Sequence, residues 1–163
     1  MNRNASRFIS LVRHPLKFRL FLLSKLPAAY FSGVRIRDIN EQSCQATVPF
    51  KWLTKNPFKS TYFASLAMAA EMTTGVLGLM QIYEREPSVS MLVVKVDSSY
   101  HKKADGRIRF TCTDGALFEK AVDESISTGE SRTVTARSVG VNVRGETVAE
   151  FYITWAFKPR AKK

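Results

Sequence analysis

The stretch TYFASLAMAAEMTTGVLGLM, residues 61–80, is the most apolar part of the chain and carries one charge, Glu71. Its length would suit a transmembrane helix, but Glu71 would then lie near the bilayer centre, at a cost of about 3 kcal/mol. The glycine, alanine and threonine residues lower its hydrophobicity further. We therefore predict a helix that is buried on all sides inside a protein, as when a sheet wraps around it.

Small side chains surround Glu71 on one face of this predicted helix. With a rotation of about 100° per residue, the residues that fall on the side of Glu71 are Ala64, Ala67, Met68, Thr74, Gly75 and Gly78. The larger Leu66, Val76 and Met80 fall on the opposite side. The pattern favours a helix that packs on a sheet by its back and leaves a channel along its front. The alternative is that the small residues only allow close packing, with Glu71 held by a hydrogen bond.

Short runs of alternating hydrophobicity predict strands on both sides of the helix. They are GVRIRDIN (33–40), SCQATVPF (43–50), SVSMLVVKVDSS (88–99), RIRFTC (107–112), SRTVTARSVGVNV (131–143) and TVAEFYITWAF (147–157). The first two are joined by residues 40–42 and read as a hairpin, and a shorter helix is expected at 115–125. The fold class predicted is α+β, with one antiparallel sheet of about six strands around one buried helix.

The net charge of +11 is concentrated at the two ends of the chain. Residues 1–37 hold eight Lys or Arg and no acid, and residues 158–163 hold four more basic residues. The remaining body, 38–157, has 13 basic and 14 acidic residues. A nucleic-acid-binding domain would carry its basic residues on a groove of the body, so we expect no nucleic-acid partner.

The N-terminal segment RFISLVRHPLKFRLFLLSKL, residues 7–26, predicts two basic amphipathic helices that are broken at Pro15. Three interpretations remain open: a cap packed on the domain, a helix on an anionic membrane surface, or an organelle transit peptide. We divide the chain into these helices (1–25), a single domain (26–158) and a basic tail (159–163).

The two cysteines, Cys44 and Cys112, show no metal-ligand spacing and are read as reduced, buried thiols of an intracellular protein. No metal site and no cofactor are expected. The chain has no secretory signal with a small-residue cleavage site, which favours a cytoplasmic protein, with peripheral membrane contact through the N-terminal helices as a further expectation.

The residues before the long helix predict a site for negative charge. Asn56 precedes Pro57 and favours a turn, and Ser60 or Thr61 is expected to cap the helix. The free N–H groups of the first turn can then bind a developing oxyanion. Glu71 lies roughly 11–13 Å further along the same helix. A dimer with antiparallel helices would bring Glu71 of one protomer near the helix start of the other.

At this point the chain resembles a known family. NPFKSTYFASLAMAAE, residues 56–71, resembles the asparagine, His-Gly-Gly and helix-acid signature of hot-dog acyl-CoA thioesterases of the phenylacetate-pathway kind. RGETVAEFYITW, residues 144–155, is similar to the final hairpin of that superfamily. The Asn56 loop, the AAE core at 69–71 and the LPxxxFxGV pattern at 26–34 resemble more closely an uncharacterised bacterial hot-dog family. The resemblance covers about residues 26–157 and implies the hot-dog fold.

The resemblance also implies a thioester hydrolase with its active site at a dimer interface, in a homodimer or a tetramer. Glu71 would attack the thioester or activate water, the Phe63 or Ala64 amide would hold the oxyanion, and Asn56 would orient water or the carbonyl. Apolar surroundings are expected to raise the pKa of Glu71. The chain departs from the signature because Tyr62 begins a Tyr-Phe-Ala sequence where the family has His-Gly-Gly. The backbone N–H groups survive this change, but the histidine does not.

An acyl-CoA or an acyl-carrier thioester is the expected ligand. Residues expected to line the acyl chain or to meet the CoA phosphates are Tyr62, Ala67, Met68, Thr74, Gly75, Lys55, Lys59, Lys102, Lys103 and Arg137. His101 is expected to be a loop residue without a catalytic role. The alternative function is a non-catalytic acyl or lipid binder at the membrane surface.

Overall fold

The structure is a computed structural model that describes residues 4–160. Its elements follow in the order α1 (Ala5–Arg13), α2 (Pro15–Lys25), α3 (Pro27–Ser32), β1 (Arg35–Ile39), β2 (Cys44–Val48), a short 3₁₀ helix (Trp52–Thr54), α4 (Phe63–Ile82), β3 (Val89–Tyr100), β4 (Ile108–Cys112), α5 (Gly115–Thr128), β5 (Arg132–Val141) and β6 (Thr147–Pro159). Most of the predicted basic tail, 159–163, lies outside the described residues.

The six strands of the described chain form one antiparallel sheet in the order β1-β2-β4-β5-β6-β3. The predicted β1–β2 hairpin is present, whereas β3 pairs with the last strand, β6, and lies at a sheet edge. Helix α4 contacts every one of the six strands. The predicted hot-dog architecture, α+β with a sheet around a long central helix, is confirmed.

Burial of α4 explains its uniform apolarity. Leu66, Val76 and Met80, which were predicted to face the sheet, are at most 3% exposed. Thr73 Oγ1 and Ser138 Oγ lie 2.8 Å apart and join the helix to β5 inside the core. Among residues 4–160, α4 is the one helix whose length and apolarity would allow it to cross a membrane, and most of it is buried in the molecule. It is therefore the core helix of this domain.

The start of α4 corrects one prediction. The helix begins at Phe63 with Tyr62 at the N-cap position and no side-chain capping bond, not with a Ser60 or Thr61 cap. The Thr61 hydroxyl donates to the carbonyl of Ala104 at 3.1 Å, and the Thr61 N–H donates to the same oxygen at 2.7 Å. Ser60 is bonded to Asn56. Both hydroxyls therefore hold the preceding loop and are not available to cap the helix.

The shorter predicted helix and the buried cysteines are also present. Helix α5 begins at Gly115 as predicted and continues to Thr128. Cys44 and Cys112 are free and fully buried, and burial raises the pKa of both thiols. They are distant in sequence, but they are direct register partners on β2 and β4.

The two N-terminal helices behave differently. Helix α1 packs as a cap, because Phe8 and Val12 are in the core and the Phe8 ring lies 5.2 Å from that of Tyr83 beyond α4. An ion pair of 2.7 Å between Arg7 and Glu84 fixes the same contact. Helix α2 buries Phe18 and Leu22 on one side only. Its other side exposes leucine residues, so the cap interpretation accounts for α1 and for half of α2.

Candidate active site

Glu71 lies on α4 where the small residues make room for its carboxylate. A Cβ atom on Gly75 would come within 2.7 Å of Glu71 Oε1 and within 3.3 Å of the Trp155 ring. Any larger residue at this position would therefore displace the carboxylate or the indole. The glycine is required by the close approach of two side chains, not by an unusual backbone angle.

Trp155 is fixed above this part of the helix by hydrogen bonds. Its indole Nε1 donates to Thr74 Oγ1 at 3.0 Å, and Thr74 Oγ1 donates to the Glu71 backbone carbonyl at 3.1 Å. Trp155 is 6% exposed, so it forms a rigid apolar wall beside the carboxylate. The sequence reasoning missed this residue. The pattern that could have identified it is the alternation in YITWAF of the last strand, in which Trp155 is one of the inward-facing residues.

The carboxylate of Glu71 is desolvated without being neutralised. No residue among 4–160 donates it a hydrogen bond or pairs with its charge, which removes the alternative in which a hydrogen bond holds it. Burial raises the pKa of Glu71 from its ordinary value of 4.5 to about 7, as predicted in direction. At neutral pH the group is thus close to half ionised and can act as a base.

The front of α4, where a channel was predicted, is accessible only along the N-terminal half of the helix. Ala64, Ala67 and Met68 are part-exposed like Glu71, whereas Thr74, Gly75 and Gly78 are buried. A Cβ atom on Gly78 would lie 2.4 Å from Met91 and 3.2 Å from Phe157, so β3 and β6 close the channel there. Glu71 therefore stands at the inner end of the open half.

The Asn56 loop is held together by the asparagine itself. Asn56 Oδ1 accepts from the N–H groups of Phe58 and Ser60 at 3.0 and 3.1 Å, and Asn56 Nδ2 donates to Ser60 Oγ at 3.0 Å. The carboxamide is thus engaged inside its own turn, in the manner of an Asx turn. Its role in this arrangement is to shape the loop before α4.

Free donors are present at the start of α4. The N–H groups of Ser65 and Leu66 donate back to the Tyr62 carbonyl. Those of Phe63 and Ala64 donate to no residue within the described part of the chain. Two adjacent unpaired N–H groups at a helix N-terminus form a natural site for an anionic oxygen.

A pocket of about 440 Å³ joins the loop, the helix start and the end of β3. Its lining includes Asn56, Tyr62, Phe63, Tyr100, Lys102 and Lys103. Tyr100, 47% exposed at the end of β3, was not among the predicted residues because its strand is remote in sequence. Glu71 does not line this pocket. The helix start and Glu71 are eight residues apart on one helix, which is about 12 Å along its axis.

The predicted phosphate-binding cations lie in three places. Lys102 and Lys103 line the 440 Å³ pocket, and Lys102 is paired with Glu146 at 2.5 Å. Lys55 and Lys59 line a neighbouring pocket that shares Asn56 and Pro57 with the first.

Arg137 lies elsewhere in the fold. It is exposed on β5 and alternates with Ala136 and Ser138, whose side chains face α4, so it points to the other side of the sheet. There Arg137 and His101 both bind Glu150. The sheet separates these residues from Glu71. Neither can share one ligand-binding cavity with the Glu71 carboxylate in the same protomer.

No cluster of three or more His, Cys, Asp or Glu side chains that could hold a metal ion is present within residues 4–160. The polar groups described at this site are one carboxylate and two backbone N–H groups, between apolar walls.

Comparison with known proteins places the chain in a family. The family described as "Domain of unknown function (DUF4442)" matches residues 18–157. No protein with a curated description matches the chain significantly.

Several solved structures share the fold. A Pseudomonas aeruginosa protein of unknown function, PA5026, named as a probable thioesterase, is 19% identical with a TM-score of 0.75, covering 90% of this chain and 97% of its own. A Chlorobaculum tepidum protein of unknown function is 18% identical with a TM-score of 0.74, covering 89% and 94%. The Haemophilus influenzae thioesterase HI1161 is 14% identical with a TM-score of 0.62, covering 88% and 90%. At these identities the likeness establishes the hot-dog fold.

The raised pKa of Glu71 predicts a pH-dependent stability. Because the folded pKa of about 7 exceeds the ordinary value of 4.5, the unfolded chain loses this proton first. Ionisation of Glu71 should therefore cost about 3 kcal/mol of unfolding free energy, beginning near pH 4.5 and complete above pH 7. Glu71→Gln removes this cost. The free energy of unfolding of the variant, measured with urea and compared with that of the wild type at each pH, should therefore rise by that amount between pH 4.5 and 8.

Glu86→Gln is the matched control, since Glu86 is an exposed carboxylate. The difference in unfolding free energy between this variant and the wild type should be the same at all pH values. A Glu71→Gln difference that is constant with pH would contradict the desolvated carboxylate.

Proposed function

The chain belongs to the DUF4442 family, and from this membership and the geometry around Glu71 we propose that it hydrolyses acyl-CoA or acyl-carrier thioesters. The observation that carries the proposal is a carboxylate with a pKa of about 7, beside an open apolar surface and without a partner among the described residues. A structural carboxylate would be expected to have a partner. Two of the similar structures bear thioesterase names, which supports the same class of reaction.

The proposed reaction needs one base and one oxyanion site. Ionised Glu71 takes a proton from water, and the resulting hydroxide attacks the thioester carbonyl carbon. The carbonyl oxygen becomes an oxyanion, which the free N–H groups of Phe63 and Ala64 stabilise. The C–S bond then breaks, the thiolate leaves and takes up the proton, and the products are a carboxylic acid and a thiol. No cofactor is needed in this scheme.

The two parts of the site must come from two protomers. Within one chain, Glu71 and the N–H groups of the helix start are separated by about 12 Å, which is too far for them to act on one carbonyl. Two α4 helices side by side and antiparallel would place Glu71 of one protomer opposite Phe63 of the other. The proposed site is therefore assembled by a homodimer.

The edge strand β3 is the surface that we propose for this dimer. Among the described strands it is hydrogen-bonded only to β6, and a long open edge favours pairing with another strand. Leu92, Val94 and Val96 on β3 are 66%, 51% and 51% exposed. Val96 is paired with the buried Ile153 and so faces the same side as α4, but the helix does not cover it. A second copy at this edge would cover Val96 next to the open half of α4.

The lysines near the helix start suit the phosphates of CoA or of a carrier's prosthetic group. Lys55, Lys59 and Lys103 have no ion pair with another residue between 4 and 160, so their charges are available. A phosphate at the mouth of the 440 Å³ pocket would leave the acyl end directed towards the helix start. Arg137 is not part of this proposal.

A second candidate function, acyl or lipid binding at the membrane surface, is favoured by α2. Leu16, Leu20 and Leu23 occur at helical spacing on its outer side and are 67%, 65% and 40% exposed. Residues 4–37 contain seven Lys or Arg and no acid. An apolar stripe flanked by cations is typical of helices that lie on anionic bilayers. We propose a cytoplasmic protein that contacts the membrane through this stripe, with or without hydrolysis.

Thioester hydrolysis should depend on ionised Glu71. Glu71→Gln keeps the shape of the side chain but cannot take a proton, so kcat for a hydrolysed acyl-CoA should fall about a hundredfold or more while acyl-CoA binding persists. In the wild type, kcat should rise with pH through about 7. A thiol-release assay over short, long and aromatic acyl-CoAs measures both. Glu86→Gln should keep full activity, and binding without any turnover by the wild type would leave only the binding function.

The dimer should depend on the β3 edge. Val94→Asp places a charge in the proposed contact, and so it should convert the dimer to a monomer and abolish hydrolysis, as measured by sedimentation and thiol release. Val143, 82% exposed in the β5–β6 turn, offers a control, because Val143→Asp should change neither property. A wild-type monomer at micromolar concentration that still hydrolyses thioesters would contradict the two-protomer site.

Membrane contact should depend on the outer side of α2. Leu16→Gln with Leu20→Gln removes two exposed leucines without disturbing the core, and so binding to vesicles with anionic lipid should weaken at least about tenfold. Binding by the wild type should also fall steeply with salt. Val143→Gln should bind like the wild type. If neither salt nor the double substitution changes vesicle sedimentation, α2 is not the contact.

A further inference from the structure

A second cavity lies at the opposite edge of the sheet from β3. Helix α1 lies against the edge strand β1 and α2 packs on α1, and residues of all three line a cavity of about 320 Å³. Its floor is part of the core: Val12, Phe18, Leu22, Val34 and Ile39 are all at most 7% exposed. The cavity is separate from the 440 Å³ pocket, with which it shares no lining residue.

The rim of this cavity is strongly basic. Four arginines contribute to the lining, Arg13, Arg19, Arg35 and Arg37, against a single acid, Asp38. An apolar floor below such a rim matches a ligand that has an alkyl chain and an anionic head.

The arginines are held in different ways. Arg13 donates to the Ile39 carbonyl at 2.7 Å and lies 3.7 Å from Asp38. Arg19 stacks on Tyr30, with its guanidinium carbon 5.6 Å from the ring centroid. Arg35 has no hydrogen-bonding or ionic partner elsewhere in the described chain. Arg37 donates to Thr47 Oγ1 at 3.0 Å. Three of the four guanidinium groups are thus engaged by other residues, and Arg35 is free to receive an anion.

The size of the cavity limits the ligand. A volume of about 320 Å³ lies at the lower end of the range for small-molecule sites, about 300–1,000 Å³. One alkyl chain of medium length can enter, whereas the nucleotide of CoA would have to remain outside. Guanidinium groups bind carboxylates through paired charge-assisted hydrogen bonds.

We propose that this cleft between the N-terminal helices and β1 binds a single-chain fatty carboxylate, with the alkyl chain on the apolar floor and the carboxylate at Arg35 and Arg19. The site does not depend on thioester hydrolysis. If hydrolysis occurs, the acid that it releases belongs to the same chemical class as the proposed ligand. The N-terminal helices then serve as a lid over a regulatory or carrier site and not only as a cap.

Dodecanoate is the probe, measured by isothermal titration with the full chain below its micellar concentration. We expect one dodecanoate per chain and at least tenfold weaker binding of dodecanol, which has the same chain without the charge. Arg35→Gln and Arg19→Gln should each weaken dodecanoate binding about tenfold, because each removes a charge-assisted hydrogen bond. Arg107→Gln is the matched control and should bind like the wild type, since Arg107 lies in a different pocket on the sheet.

Further variants separate this cleft from the thioester site. Ile36→Trp, on the part-exposed wall of the cleft, should block dodecanoate and leave thioester hydrolysis unchanged. Glu71→Gln should abolish thioester hydrolysis and leave dodecanoate binding unchanged. The proposal is overturned if dodecanoate does not bind, if dodecanol binds equally well, or if the arginine variants bind like the wild type. It is also overturned if Glu71→Gln or Val94→Asp, and not Ile36→Trp, abolishes binding, because the ligand then occupies the dimer site.

Discussion

Burial of a twenty-residue helix against all six strands is the constraint on which the rest of this structure depends. A sheet can close around a helix only where the helix is narrow, and α4 meets this need with glycine and threonine. Met91 and Phe157 reach Gly78, the Trp155 ring reaches Gly75, and Thr73 satisfies Ser138 in the core. The same small residues that allow this close packing leave the space in which a carboxylate can fold against the helix.

Placing Glu71 in that space has an energetic cost, which the proposed function would explain. A group whose pKa is raised to about 7 destabilises the folded state at neutral pH, and an alanine at this position would avoid the cost. Stability is commonly sacrificed at sites where desolvation produces a reactive group. Trp155, held by its hydrogen bond to Thr74, gives the carboxylate an apolar wall on one side and does not neutralise it. The environment of the lone charge in the most apolar helix thus supports the proposed role of Glu71 as a base.

Local patterns were sufficient to predict the elements but not the details that depend on contacts between distant residues. Alternation identified the strands, and composition identified the buried helix. The start of α4 was misplaced because Thr61 bonds to Ala104, which is 43 residues away. Trp155 and Tyr100 were missed for the same reason, since they reach the α4 region through strand pairing. Arg137 was expected to contact the substrate, because the sequence alone does not show which side of the sheet its side chain faces.

The chain resembles thioesterases but lacks their His-Gly-Gly motif. The proposed reaction therefore depends on two separated parts, Glu71 and the start of α4. Free N–H groups at Phe63 and Ala64 do not need that motif, because a helix N-terminus supplies them from the backbone. What they do need is a base from elsewhere. The open β3 edge, with its exposed apolar residues next to the uncovered half of α4, is where a second protomer can provide it.

The most direct measurement is activity in mixed dimers. Phe63→Pro removes one N–H group at the first helical position, where proline is tolerated and where the Tyr62 angles of −59° and 134° suit a following proline. Each of Phe63→Pro and Glu71→Gln should be nearly inactive alone. After the two are unfolded and refolded together, half of the dimers are mixed and each has one intact site, so about a quarter of wild-type activity should return. Mixed dimers that form but stay inactive would contradict a site shared between protomers.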